Sequence, residues 1–174
     1  MKLLYSCLLS FLTVTAVKAQ DEPKPPVFTI SFSNASPKKG DVIEVVFKAA
    51  VPNGFHMYST HNKCDVGPMK LDILFETSGG YQLIGKPYSI GDKHVVDEVF
   101  ECEVGTFDKE AEIRQKIKIT GTDIRIKGSI EGQWCTETTC YNFGGLVPLT
   151  FSSTLKAAAK DISVSPEGNL PAGQ

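Results

Sequence analysis

The chain has 174 residues, with 18 lysines and arginines against 20 aspartates and glutamates and a formal charge of −2. So balanced a charge gives no electrostatic reason to expect nucleic acid or an anionic membrane as partner. There is no phosphate-cradling glycine loop and no basic, aromatic-studded patch, and the length suits one domain with a proper core.

The first element in chain order is a leader, "MKLLYSCLLSFLTVTAVKAQ". Lys2 gives a positive start, and residues 3–17 form an apolar run too short to span a bilayer. Val17 and Ala19 are the small residues before a cut after Ala19. This predicts a signal peptide over 1–19 and an exported protein. Cys7 lies inside the apolar run, not after it, so it is read as discarded with the signal and not as a lipid-attachment site. No later stretch is apolar for long enough to insert in a membrane. Residues 20–26, "QDEPKPP", read as a polar leader with little to bury.

From there the pattern alternates. Phe28, Ile30 and Phe32 share a strand face, and "SPKKGD" turns the chain. Residues 42–50 are mostly β-branched or apolar, as in a central strand. "VPNG" breaks the chain and "FHMYS" resumes it. Met69, Leu71, Ile73 and Phe75 alternate, and "SGG" leads into residues 81–84. Ile113, Ile117 and Ile119 alternate, then Ile124, Ile126 and Ile130, and Val147, Leu149 and Phe151 make the last strand. Short strands at this spacing predict an all-β domain over 27–153, an immunoglobulin-like antiparallel β-sandwich. Only "STLKAAAKD" has the composition of a short helix. The tail, 154–174, reads as disordered.

Export changes how the cysteines read, because disulfides persist outside the cytoplasm. Cys64, Cys102, Cys135 and Cys140 remain after processing, and four cysteines allow three pairings. In "GQWCTETTCYNF" the strand parity puts Ile126, Ile130 and Trp134 on the core face. Cys135 then points the other way, towards solvent or a covering loop. "TETT" has the reach of a hairpin loop, and Cys140 begins the returning strand. A bridge closing so short a loop stabilises by about 2 kcal/mol, whereas Cys64–Cys102 would give about 4 kcal/mol, so the long pair is the better staple. A short, outward-facing bridge is the more exchangeable one. From spacing alone the Cys135/Cys140 pair remains open as a redox couple, an inert staple or a metal ligand. Zinc is the weakest of these, because the gap is four residues and no second pair follows at finger-like spacing.

The segment "GQWCTETTCYNFGGLVPLTF" resembles the cysteine hairpin of the N-terminal periplasmic domain of the thiol:disulfide interchange protein DsbD. The matching positions are Gln133, Cys135, Cys140, Tyr141 and Val147-Pro148-Leu149. "NGFHMYS" is similar to the strand beside that family's active hairpin. "VVDEVFECEV" is similar, more loosely, to its cap segment, with Asp97 and Glu98 followed by Val99 and Phe100. Asn142-Phe143 stands where the family has Pro-Pro, and Trp134 where it has a small residue. The resemblance implies an immunoglobulin-like fold and an electron-relaying dithiol. Electrons would come from the thioredoxin-like domain of a membrane electron carrier. They would pass, through mixed disulfides, to exported thiol–disulfide proteins such as disulfide isomerases or cytochrome c maturation factors. No cofactor is implied. It also implies that His56 and Tyr58 face the dithiol, with His56 supporting a thiolate. Asp97 and Glu98 would raise a thiol pKa, and Phe100 or Val99 would cap the sulfurs. Cys64 and Cys102 are expected to form a structural disulfide, with free thiols or a regulatory couple as alternatives. His61 and His94 receive no role. Two other functions compete with the relay. One is a non-catalytic immunoglobulin-like binding module with two structural disulfides. The other is a copper or zinc carrier using the dithiol and His56.

Overall fold

The computed structural model describes residues 23–77, 79–144 and 149–157. The expected signal peptide, Val147 and the tail beyond residue 157 lie outside them. The described residues form strands and no helix: β1 (Phe28–Phe32), β2 (Val42–Ala50), β3 (His56–Asn62), β4 (Asp72–Phe75), β5 (Tyr81–Ile90), β6 (Lys93–Asp97), β7 (Cys102–Phe107), β8 (Glu110–Ile119), β9 (Asp123–Cys135), β10 (Cys140–Phe143) and β11 (Leu149–Lys156). Every pairing is antiparallel.

The alternation read from the sequence drives this layout. Ile43, Val45, Phe47 and Ala49 bury one face of β2, and Ala111, Ile113, Ile117 and Ile119 bury one face of β8. Each fully buried Phe or Ile adds about 1.5–3 kcal/mol over an exposed one. Gln115 shares the buried face of β8. Its amide donates to the carbonyls of Ile84 (3.0 Å) and Lys116 (2.7 Å), which offsets part of its desolvation. β1, β2, β8 and β5 make one sheet, and β10, β9, β3, β7 and β6 make the other, with β4 and β11 flanking the first part of β9. The two inner faces enclose one core, where Phe47 meets Phe75 and Phe151 edge-on at 6.1 and 5.0 Å. The result is the all-β, immunoglobulin-like sandwich that the strand spacing predicted.

Gly128 is essential to that closure. A Cβ there would sit 2.0 Å from the Leu74 carbonyl oxygen and 2.7 Å from the Phe151 ring, so only glycine lets β4 and Phe151 close on β9.

Four expectations change. Met69 lies before β4 and is 44% exposed, so only Leu71 and Ile73 of that run bury. β5 runs on to Ile90. The β6–β7 hairpin is not among the strands expected from the alternation; it flanks the cap-like residues 98–101. The suspected short helix is strand as far as Lys156: Ser153, Thr154, Leu155 and Lys156 pair with Ile126, Arg125, Ile124 and Asp123. The domain therefore extends past residue 153, and pairing with a neighbouring strand overrides the local helix preference of "LKAA".

Candidate functional site

β9 runs one residue beyond its Ile130–Trp134 core stripe, to Cys135, and β10 returns beside it with Cys140 opposite Cys135. Their Cα atoms are 4.0 Å apart and the sulfurs are bonded. The four-residue tip is not loose. Thr136 Oγ1 accepts from the amides of Thr139 (3.0 Å) and Thr138 (3.4 Å), and the Thr136 amide donates to the Thr139 carbonyl at 2.8 Å. The hairpin loop expected of "TETT" is a turn closed by a threonine hydroxyl.

Trp134 and Cys135 take opposite faces of β9, as its parity predicts, and strand residues rather than a loop cover Cys135. Trp134 is buried on the core side, beside Tyr141 (5.5 Å) and Phe143 (5.7 Å). Trp134 and Tyr141 therefore brace the hairpin from behind and stay away from the sulfurs. Cys135 is on the other face but is only 1% exposed, because Tyr58 and Val104 cover it. Cys140 is exposed. One bridge thus joins a covered sulfur to an open one.

β3 lies on the other side of β9, with His56 directly opposite Cys135 and Met57 opposite Trp134. His56 and Tyr58 share the dithiol face, their rings 5.3 Å apart and edge-on. An open groove of about 900 Å³ runs over this face. His56, Tyr58, Cys135 and Cys140 line it, the tip closes one end, and Val95 with residues 98–100 lines the far side. Val99 is 85% exposed and Phe100 lies at the rim. The structure therefore brings together the dithiol, His56, Tyr58, Asp97, Glu98 and Phe100.

Asp97 organises the groove's far wall. Its Oδ1 accepts from the amides of Val99 (2.9 Å) and Phe100 (3.1 Å), its carbonyl accepts from the Glu101 amide (2.8 Å), and its Oδ2 accepts from the Tyr58 hydroxyl (3.0 Å). Glu101 completes the turn at φ +54°, a left-handed conformation uncommon outside glycine. Asp97 thereby ties the exposed apolar turn to the strand that covers Cys135.

Burial, then the hydrogen bond to Asp97 and that carboxylate's charge, push the Tyr58 phenol up to about 12. The folded value lies above the unfolded one, near 10. The stabilisation is therefore fully present below pH 10 and is lost as pH rises through 12, because the unfolded state releases its proton first. Tyr58→Phe is expected to cost about 1.5–3 kcal/mol at neutral pH. It should also flatten the fall in stability between pH 10 and 12, read by urea unfolding at each pH. Parallel curves for the two proteins would show that the hydroxyl is not coupled to the fold.

Cys64 and Cys102 are bonded, with Cα atoms 5.4 Å apart. The bridge packs against Tyr58, Val104 and Cys135, so the two disulfides share one small apolar cluster. Val104 and Thr136 were missed in the sequence. Val104 lies in an unrecognised strand, and Thr136 looked like any polar loop residue.

Fold and site together define an antiparallel β-sandwich with an asymmetrically exposed hairpin disulfide. No family model and no curated protein matches the sequence. Among solved structures, the reduced DsbD N-terminal domain of Neisseria meningitidis is similar at 18% identity, with 75% of this chain and 85% of that chain covered and a TM-score of 0.39. A cohesin module from a Clostridium perfringens family 33 glycoside hydrolase is similar at 11% identity, covering 78% of this chain and 98% of that one, with a TM-score of 0.44. Both likenesses are loose. Among the described residues, no helix is long and apolar enough to cross a membrane.

Proposed function

We propose that the chain is an exported, periplasmic thiol–disulfide relay domain working through Cys135 and Cys140. The observation that carries this reading is the asymmetry of the bridge, with Cys140 open at the groove and Cys135 covered behind it. A donor thiolate attacks Cys140 Sγ in line with the bridge. The S–S bond breaks, and its electron pair leaves on Cys135 as a thiolate. The donor's second thiolate then attacks the donor's own sulfur in the mixed disulfide and releases Cys140 as a thiolate. Two electrons have entered the domain, the donor is left oxidised, and protons from solvent neutralise the thiolates. Transfer to an acceptor disulfide reverses these steps. His56, opposite Cys135 in register, is the group we assign to steady the Cys135 thiolate. The donor is the thioredoxin-like domain of a membrane electron carrier, and the acceptors are exported thiol–disulfide proteins such as isomerases or cytochrome c maturation factors.

The test is selective reduction. With a thioredoxin-like dithiol, followed by alkylation and mass analysis, Cys135 and Cys140 are expected to be labelled while Cys64–Cys102 stays bonded. The hairpin should equilibrate near the potentials of thioredoxin-like partners, and the long bridge should lie below about −300 mV. If the hairpin resists as strongly as the long bridge, the domain is a non-catalytic binding module with two staples. His56→Ala should shift the pH profile of thiol alkylation at Cys135 or Cys140, and unchanged profiles at both make His56 an ordinary strand residue.

A further inference from the structure

Strands β3, β7 and β6 carry a second cluster on their reverse face. Val104 of β7 faces the dithiol side, so Glu103 and Gly105 face the other way. There His61 Nε2 lies 2.7 Å from Glu103 Oε1, and His94 Nδ1 lies 3.8 Å from the same oxygen. One ligand atom from each of the three side chains falls within 4.8 Å of the others. A tetrahedral ion with bonds of about 2.0–2.2 Å to nitrogen and oxygen spaces its ligands about 3.3 Å apart, between the two separations seen.

The surroundings fit a metal-binding histidine. His94 Nε2 faces Asp92 Oδ2 at 3.4 Å, and the Asp92 side chain is only 10% exposed. The Ser59 hydroxyl donates to the same oxygen at 2.6 Å. With Nε2 protonated towards Asp92, His94 turns the Nδ1 lone pair to the Glu103 carboxylate, so two electron-rich groups face each other. A carboxylate behind a ligating imidazole is the usual arrangement at zinc centres. Gly105, paired with His94, makes room for it: a Cβ there would lie 2.4 Å from Asp92 Oδ2 and 2.1 Å from Ser59 Oγ. Two features work against an ion. Lys63 Nζ already reaches Glu103 Oε1 at 2.9 Å. The two imidazoles are stacked, 3.9 Å apart and 9° from parallel, so one ring must tilt to aim both lone pairs at a single ion. His94, half exposed, is the ring free to do so.

We propose that His61, His94 and Glu103 form a zinc-class divalent metal site, with Asp92 positioning His94 and solvent completing the coordination. It is separate from the dithiol and does not depend on the relay.

The test titrates Zn²⁺ into the full chain against a chromophoric chelator and follows the visible spectrum with Co²⁺. One ion per chain is expected. His61→Ala and His94→Ala should each weaken binding at least tenfold, and Asp92→Asn about tenfold to a hundredfold. The Cys135→Ser/Cys140→Ser protein should bind as the parent does. Metal-free unfolding curves confirm that each variant is folded. The proposal is overturned if the parent does not bind, if either histidine variant binds like the parent, or if binding disappears with the dithiol. An unchanged affinity in Asp92→Asn would overturn the positioning role.

Discussion

Reduced Cys135→Ala protein, offered a thioredoxin-like partner whose resolving cysteine is replaced by Ala and whose remaining cysteine is activated as a mixed disulfide with thionitrobenzoate, is expected to displace thionitrobenzoate and accumulate a stable covalent adduct through Cys140. Cys140→Ala should trap little or none. The expectation follows from access. Exchange needs a thiolate to approach one sulfur in line while the other leaves. Cys135 is 1% exposed, held in β9 between β10 and β3 and covered by Tyr58 and Val104. Cys140 opens β10 on the exposed side. With Cys135 gone from the domain and the resolving cysteine gone from the partner, neither side can resolve the mixed disulfide, so the adduct persists and is visible on a non-reducing gel. Equal trapping by both variants would show that access does not choose between the sulfurs. Trapping by neither would count against the relay and leave the hairpin bridge as a staple.

The second large effect concerns stability. Replacing Cys64 and Cys102 together by Ala opens a bridge between residues 38 apart. On the chain-entropy model the loss is about 4 kcal/mol, or a fall in Tm of about 10–15 °C for a domain of this size. The bridge ties the start of β7 to the segment after β3 and packs under Tyr58. The variant should therefore loosen the groove's far wall while transfer through the hairpin continues. Loss of transfer in a variant that still melts cooperatively would mean that the long bridge has a redox role.

Much of the sandwich was legible because its inner strands obey a simple period. β2 is a β-branched and apolar run and the stripes of β8 and β9 alternate, and the parity of β9 already separated Trp134 from Cys135. The failures lie where pairing outranks composition. "KHVVD" at the sheet edge exposes most of its side chains, so it shows no buried stripe and β6 escaped notice. "STLK" resembles a helix until β9 supplies partners along one side. The covering of Cys135 depends on Val104, 31 positions earlier in the chain, and on Tyr58, 77 positions earlier, and neither is visible from spacing. His61 and His94 looked unrelated for the same reason, since only the register of β3, β7 and β6 stacks them.

β9 is hydrogen-bonded on both sides over much of its length, by β11 and β4 in its first part and by β10 and β3 at its end. Strands so enclosed are the last to open, whereas a four-residue edge strand such as β10 opens easily. Cleaving the hairpin bridge is therefore expected to free β10 and leave Cys135 in place. Amide exchange should quicken at residues 140–143 on reduction and stay slow at residues 130–135. The oxidised and reduced forms would then differ in one short edge, and in the proposed relay the buried sulfur would return to the same place after each exchange.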